Sequence, residues 1–468
     1  MTREWAKIRW LPALCAVLAA ALLPAQAGEH LYILTGQSNS LGAVKGSPAT
    51  PEQLARYASQ AKLWNGNMVR DTGELFDKSP SWQTVAPQLP SYRNLCMGPE
   101  YGFAHMMQRR GWHAAEGESI FIIKASLDGG GNSFWLPGAP AWKSLVRTVD
   151  AALGALPGEP QVHALLYLQG ESDKGEEISL APARLLDLLS RLKKTLRNKQ
   201  ALRYAVVGEC ATWAGKEAKD ARGATSAGLM GAMADKRKEV GWVRTRDLTK
   251  ITSGDAMGVH YDGASQLSIG ARYAYATALL EKLPLGCCAR SDRPAAPLNT
   301  PAAWWGGKLP GADEAATWDI SAANVADTLS GSLALGGIVV EDPFRGGVSV
   351  APVAGKKARL LLGAKGLCLK EGDLEILCAV EIKAPQRWQV AAGHKLALGS
   401  AAEPVELTGH GRVELAGAAE AEVELHLAAP PAVEWRLGSP APRVRATIGG
   451  RPARMLPQGK GYKLAPAE

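Results

Sequence analysis

Between residues 28 and 286 the apolar positions alternate between two patterns. Short continuous runs are β-prone and predict buried strands: LYILT (31–35), SIFIIKAS (119–126), VHALLYLQG (162–170) and LRYAVVGE (202–209). Between them, apolar residues at three-to-four spacing predict helices. One is WKSLVRTVDAALGAL (142–156). Another is SLAPARLLDLLSRLKKTLRNK (179–199), with Leu185, Leu189, Leu192 and Leu196 on one face and the basic run RLKK on a solvated one. ASQLSIGARYAYATALLEK (264–282) predicts a last helix. Strands alternating with helices imply an α/β fold whose parallel sheet is covered on both faces. Ligands of such sheets sit outside the carboxyl ends of the strands.

The pattern then changes. Residues 288–312 hold Arg, Ser, Pro, Gly and Trp304-Trp305 without periodicity and read as a linker. From 313, and clearly from about Thr317, short β-prone runs separated by Gly-containing turns dominate to the end of the chain at 468, with no long helix. This predicts an all-β accessory domain, either a sandwich or a short β-solenoid. Residues 317–425 loosely resemble the strand-per-rung repeats of autotransporter-type passenger regions. Residues 428–468 are Pro- and Arg-rich and carry no signal of their own.

Composition narrows the class. Of the 468 residues, 46% are hydrophobic and 21% charged, so the chain is globular, and its length calls for more than one core. Residues 1–27 read as an export signal: Arg3, Lys7 and Arg9, an apolar run from Trp10 to Leu23 too short to span a bilayer, and Ala25-Gln26-Ala27 as a cleavage site. Cys15 follows Leu14, where a lipoprotein cysteine wants a small residue. The expectation is a secreted or periplasmic protein cut after Ala27, with the first domain over 28–287. Removing Arg3, Lys7, Arg9 and Glu4 lowers the net charge from +8 to +6, with no basic stripe interleaved with aromatics; nucleic acid is not an expected partner. No membrane span is expected in the mature form. Six cysteines remain: Cys96, Cys210, Cys287, Cys288, Cys368 and Cys378. Export permits disulfides, and Cys368 and Cys378 could close a local loop; buried free thiols are the alternative.

The chain lacks G-x-S-x-G, H-E-x-x-H, a P-loop and G-x-G-x-x-G, which argues against an α/β-hydrolase, a zincin and nucleotide enzymes. What it has is a set of polar segments at strand ends. GQSN (36–39) follows the first strand; Gly36 permits a sharp turn and puts Ser38 at the carboxyl edge of the sheet. A serine nucleophile needs a base. His260 lies in a loop before the last helix, near Asp255 and Asp262, whereas His30, His105, His113 and His163 fit worse by position. KASLDGGGNSFW (124–135) ends the second long strand in three glycines whose N–H groups could face an oxyanion. LQGESD (168–173) supplies the Gln169 amide and the Glu171 carboxylate. Each segment also has a plain reading, as a turn, a cap or a polar strand end.

Together these segments resemble the SGNH hydrolase superfamily, in its sialate O-acetylesterase-like and acetylxylan-esterase-like branch. The matching residues are GQSN with Gly42, GPEYGFA (98–104), K-A-S-x-x-G-G (124–130), QGESD (169–173) and HYDGASQLSIGARYA (260–274), over roughly residues 30–282. The resemblance implies a three-layer α/β/α sandwich. It also implies Ser38 as nucleophile, His260 as general base, and the Ser38 N–H, Gly129 or Gly130, and Gln169 as the oxyanion hole. Many SGNH enzymes place the orienting Asp three residues before the His; here that position is Met257. Glu171 is therefore the preferred acid, with Asp255 second.

The implied reaction is removal of O-acetyl groups from a sugar through an acyl-serine, with Asn39 and Trp135 against the substrate and no metal or cofactor. Trp faces stack on sugar rings, and Trp64, Trp82 and Trp135 fall in or near loops, although a core role suits most tryptophans. Other readings are a different SGNH activity, such as a lipase or thioesterase, and a non-catalytic carbohydrate-binding surface protein.

Overall fold

The structure is a computed structural model. It describes residues 29–42, 50–88, 97–113, 118–158, 160–196, 202–210, 222–251, 258–290, 292, 296–322, 326–343 and 346–467. The expected export signal, Cys96 and Asp255 lie outside the described residues.

Seven strands form the first sheet: β1 Glu29–Gly36, β2 Lys62–Asn65, β3 Trp82–Thr84, β4 Ser119–Ser126, β5 Gln161–Leu168, β6 Tyr204–Gly208 and β7 Val240–Val243. Their order is 3-2-4-1-5-6-7, and every pairing is parallel except the β2–β3 edge. The helices are α1 Ser38–Leu41, α2 Pro51–Arg56, α3 Glu100–Arg109, α4 Pro140–Gly154, α5 Glu176–Thr195, α6 Arg222–Ala234 and α7 Gly263–Glu281.

Alternation along β1 shows why its sequence is apolar throughout. Tyr32 and Leu34 pack on one face with Phe103 and Met107 of α3 and Leu267 and Ile269 of α7. Leu31 and Ile33 pack on the other with Leu145 and Val149 of α4 and Leu185, Leu189 and Leu192 of α5. A strand buried on both faces needs no polar register. The three-layer expectation holds. Helix α7 is buried on all sides from Ser265 to Ala278. Two motif glycines make that possible: a Cβ on Gly102 would stand 1.8 Å from the Leu267 carbonyl oxygen, and one on Gly270 would stand 2.0 Å from that of Pro99. The backbones of α3 and α7 therefore touch where side chains would separate them.

The C-terminal region is a parallel solenoid, which decides between the two expected all-β folds. Ala315–Trp318 pairs with Ser332–Val340, which pairs in turn with Arg359–Leu369, Gln386–Val390, Arg412–Gly417 and Glu434–Leu437, all in parallel. A second face stacks Ala326–Leu329, Gly347–Pro352, Asp373–Ile376, Lys395–Leu398, Glu422–Leu427 and Arg443–Ile448. A third runs from Arg359–Leu362 through Ala379–Ile382 to Leu407–Gly409. Stacking puts equivalent residues in columns: Ile338, Leu367, Trp388 and Leu415 are aligned and buried. The Pro- and Arg-rich end forms an antiparallel hairpin, Arg451–Gln458 with Gly461–Pro466, that covers the last rung and its open edge.

Two expectations are corrected. Cys368 and Cys378 are both free thiols, as are Cys287 and Cys288. Cys368 lies between the inward-facing Leu367 and Leu369 and points outward, whereas Cys378 is buried. The segment 288–312 is not a loose linker. Cys287–Cys288 pairs with Ala316–Thr317, and Trp304 and Trp305 are buried.

The two halves share a polar, buried seam. Asp319 of the solenoid accepts from Arg110 at 2.6 Å and from Tyr275 of α7 at 2.6 Å. Burial alone would raise the Asp319 carboxyl, but Arg110 and these hydrogen bonds hold it below the usual carboxylate value. Arg272, fully buried in α7, makes a two-pronged pair with Asp247 at 2.8 and 2.6 Å and donates to the Ser321 carbonyl at 3.0 Å. Among the described residues no helix is long and apolar enough to cross a membrane.

Candidate active site

Ser38 starts α1 directly beyond the carboxyl end of β1. Gly36 makes the turn with φ +142°, and a Cβ there would lie 1.9 Å from the Leu168 carbonyl oxygen. Gln37 N–H bonds that same carbonyl at 3.0 Å. The first N–H groups of a helix have no intrahelical acceptor, so the Ser38 N–H is available to an anion by its position. Ser40 Oγ meets Ser126 Oγ of β4 at 2.6 Å, which fixes the turn of α1 against the sheet.

The residue after Ser38 organises the site. Asn39 is fully buried, and its Nδ2 donates to Glu171 Oε1 at 2.7 Å and to the Val259 carbonyl at 3.0 Å. Its Oδ1 accepts from the Tyr261 N–H at 3.1 Å. Val259 and Tyr261 are the two neighbours of His260. One amide therefore grips both sides of the His260 peptide and ties that loop to the residue after Ser38. This corrects the expected role of Asn39: its polar atoms face protein groups, not substrate.

The turn after β5 is braced in the same way. Gln37 Oε1 accepts from the Gly170 N–H at 3.3 Å, the Ser172 N–H at 3.1 Å and Gln169 Nε2 at 2.9 Å. Gln169 Nε2 also donates to the Gly130 carbonyl at 2.7 Å, and its Oε1 accepts from Trp135 Nε1 at 3.1 Å. Both amide protons of Gln169 are thus engaged and the side chain is buried. It is a strut beneath the glycine turn, not an open oxyanion donor as expected. Trp135 is buried too, so it is not the expected sugar platform. Trp64 and Trp82 pack edge to face at 5.5 Å on the α4–α5 side of the sheet. Of the two expected glycines, Gly129 is half-buried with φ +62°, and Gly130 is buried.

Two further polar groups lay inside recognised motifs, but their partnership was not legible. Lys124 of K-A-S and Glu100 of GPEYGFA form an ion pair of 2.9 Å with both side chains fully buried. Lys124 Nζ also donates to the Leu41 carbonyl at 2.8 Å, at the C-terminal end of α1. Glu100 Oε1 accepts from the Gly98 N–H at 2.8 Å and from Gln88 at 3.1 Å. A buried pair is tolerated where further hydrogen bonds offset its desolvation, and here Glu100 Oε1 and Lys124 Nζ each have them. Farther out, Asp173 accepts from Asn132 N–H and Nδ2, both at 2.8 Å, and from Ser226 at 3.0 Å. Burial still raises its carboxyl above the ordinary value. Burial, with Glu171 and Asp173 nearby, pushes the Cys210 thiol well up, so it is not a thiolate nucleophile.

These strand-end groups lie within a longer similarity. Residues 28–279 match the family described as carbohydrate esterase, sialic acid-specific acetylesterase. The chain belongs to that family. It is accordingly a carboxylic ester hydrolase of the acetylesterase type. No curated protein matches this acetylesterase. Among solved structures it is similar to NanS, at 14% identity, covering 56% of this chain and 99% of that one with a TM-score of 0.43. A carbohydrate acetylesterase from Xanthomonas citri matches at 14% identity over 57% of this chain and 60% of that one, TM-score 0.39. An Arabidopsis thaliana protein matches at 16% identity over 53% and 97%, TM-score 0.37.

Proposed function

We propose that this acetylesterase is exported and removes O-acetyl groups from a sugar or polysaccharide through an acetyl-serine intermediate. Ser38 Oγ attacks the acetyl carbonyl while His260 takes its proton. The oxyanion faces the Ser38 N–H and the N–H groups of the Gly129–Gly130 turn. His260 returns the proton to the departing sugar oxygen. Water then attacks the acetyl-enzyme, releasing acetate and restoring Ser38.

The observation that carries this reading is the Asn39 clamp, which ties the peptide on both sides of His260 to the residue beside Ser38. Glu171 is the proposed orienting carboxylate, since it shares the Asn39 amide with the His260 loop. Asp255 is the competitor. The family match beginning at residue 28, directly after the expected cleavage site, supports export. The test is acetate release by the mature chain from a panel of O-acetylated glycans, with Ser38→Ala as control. Release that depends on Ser38 supports the proposal. Hydrolysis of long-chain esters in preference to every sugar acetate would refute the substrate class.

A further inference from the structure

Three histidines that the chemistry does not use meet at the far end of the sheet. His30 is the second residue of β1, six positions before Gly36, or about 20 Å along the strand from the serine turn. His163 is the third residue of β5, and His113 follows α3. Ring centroids are 4.2 Å apart for His30 and His113, 4.5 Å for His113 and His163, and 4.9 Å for His30 and His163. One ring nitrogen from each lies within 4.8 Å of the others.

A carboxylate stands behind these rings. Glu281, at the C-terminal end of α7, accepts from His163 Nδ1 at 2.6 Å with one oxygen and from His113 Nε2 at 2.7 Å with the other. Those bonds set two tautomers: the protons sit toward Glu281, so His163 Nε2 and His113 Nδ1 carry lone pairs. His30 Nδ1 lies 2.8 Å from His163 Nε2 and is therefore the donor in that contact. Its other nitrogen, Nε2, lies 3.6 Å from Glu118 Oε1. His113 and His163 are thus hydrogen-bonded to a carboxylate at the nitrogen that would face away from a shared ligand, and His30 has the Glu118 carboxylate near the corresponding nitrogen. Imidazoles backed in this way are the usual arrangement of histidine metal ligands.

We propose that His30, His113 and His163 form a binding site for one divalent transition-metal ion of the zinc class. The ligand atoms would be His163 Nε2, His113 Nδ1 and His30 Nδ1. The His30 proton moves from Nδ1 to Nε2, beside Glu118, so binding requires no net loss of a proton. Tetrahedral zinc with bonds of about 2.0–2.1 Å places its ligands about 3.3 Å apart. His30 Nδ1 and His163 Nε2 stand 2.8 Å apart, and one nitrogen of each ring lies within 4.8 Å of the others, so small rotations of the rings meet that distance. The three side chains are each partly reachable by solvent, which supplies an entry path and the fourth ligand. A metal here would pin β1, β5, the turn after α3 and the end of α7 together. It is remote from the ester, so its role is structural.

The test uses untagged full-length protein stripped with EDTA and dialysed. Cobalt is titrated in and followed by its visible d–d absorption, zinc is used to compete, and metal per chain is measured by mass spectrometry. The expected result is one tight equivalent with the intensity of a tetrahedral site. Glu281→Gln should weaken affinity about 10–100-fold. His163→Gln and His113→Asn should each remove the equivalent. Asn tolerates the left-handed backbone of residue 113, φ +47°, so that variant keeps the fold. Turnover of an acetyl ester verifies folding of each variant, because the cluster is far from Ser38. Failure of the folded wild type to take up one equivalent overturns the proposal. So does uptake unchanged in His113→Asn.

Discussion

The two halves of the molecule differ in what they bury beside their apolar cores. The solenoid fills its interior with aliphatic and tryptophan columns, such as Ile338, Leu367, Trp388 and Leu415. The α/β half buries Gln37, Ser38, Asn39, Glu100, Lys124, Gln169, Glu171 and Asp173 as well, all around the carboxyl edge of its sheet. Buried polar groups cost stability unless fully bonded, and apolar columns do not carry that liability. The difference separates a frame from a device. In the solenoid, substitutions should alter stability and leave chemistry alone. At the sheet edge, substitutions of nearly unchanged size should alter chemistry.

The largest expected effect is at Ser38. Ser38→Ala should lower turnover of an acetyl ester about 10⁴-fold or more while leaving the melting temperature almost unchanged. Asn39→Ala strips partners from Glu171, the Val259 carbonyl and the Tyr261 N–H. It should lower kcat about 100-fold with a small change in KM, because a loosened His260 loop misplaces the base. Glu171→Gln should lower kcat more than Asp255→Asn; the reverse order would assign the acid to Asp255. Trp388→Ala should cost about 3–5 kcal/mol in denaturant unfolding of the solenoid, with kcat of the remaining folded protein unchanged. A large loss of kcat there would erase the distinction between frame and device.

The smallest effect concerns the seam. Burial first, and then Arg109, lower the His105 pKa to about 4, against an ordinary value of 6.5. The folded state thus keeps His105 neutral where the unfolded chain would protonate it. Its contribution to stability is full above about pH 6.5 and is lost as pH falls toward 4. His105→Gln should therefore shrink the drop in melting temperature between about pH 7 and about pH 5 relative to wild type.

Much of this was legible in the sequence, for identifiable reasons. Strands buried on both faces, such as SIFIIKAS, have no competing pattern, and that segment forms β4 over the expected residues. Short strands such as Lys62–Asn65 and the edge strand Trp82–Thr84 carry too few residues for a period to show. Helix α3 shows in the sequence only as the motif GPEYGFA, whose Gly102 serves close packing on α7. At the site, positions were legible and partnerships were not. Asn39 stands next to Ser38, the proposed nucleophile, and is expected from sequence to touch substrate, yet its three partners come from residues more than a hundred positions away. The Lys124–Glu100 pair, Gln169 as a strut and the burial of Trp135 are tertiary facts of the same kind. In the solenoid, the parallel register is not legible in the sequence, since a sandwich strand and a solenoid rung share one alternation.

The central claim is that Ser38 is the nucleophile presented by this edge. An active-site-directed fluorophosphonate, followed by peptide mapping, tests it most directly. The account predicts one adduct per chain on the peptide containing Ser38, none in Ser38→Ala, and slower labelling in Asn39→Ala. A stoichiometric adduct on another serine, or full ester hydrolysis after Ser38→Ala, would contradict it.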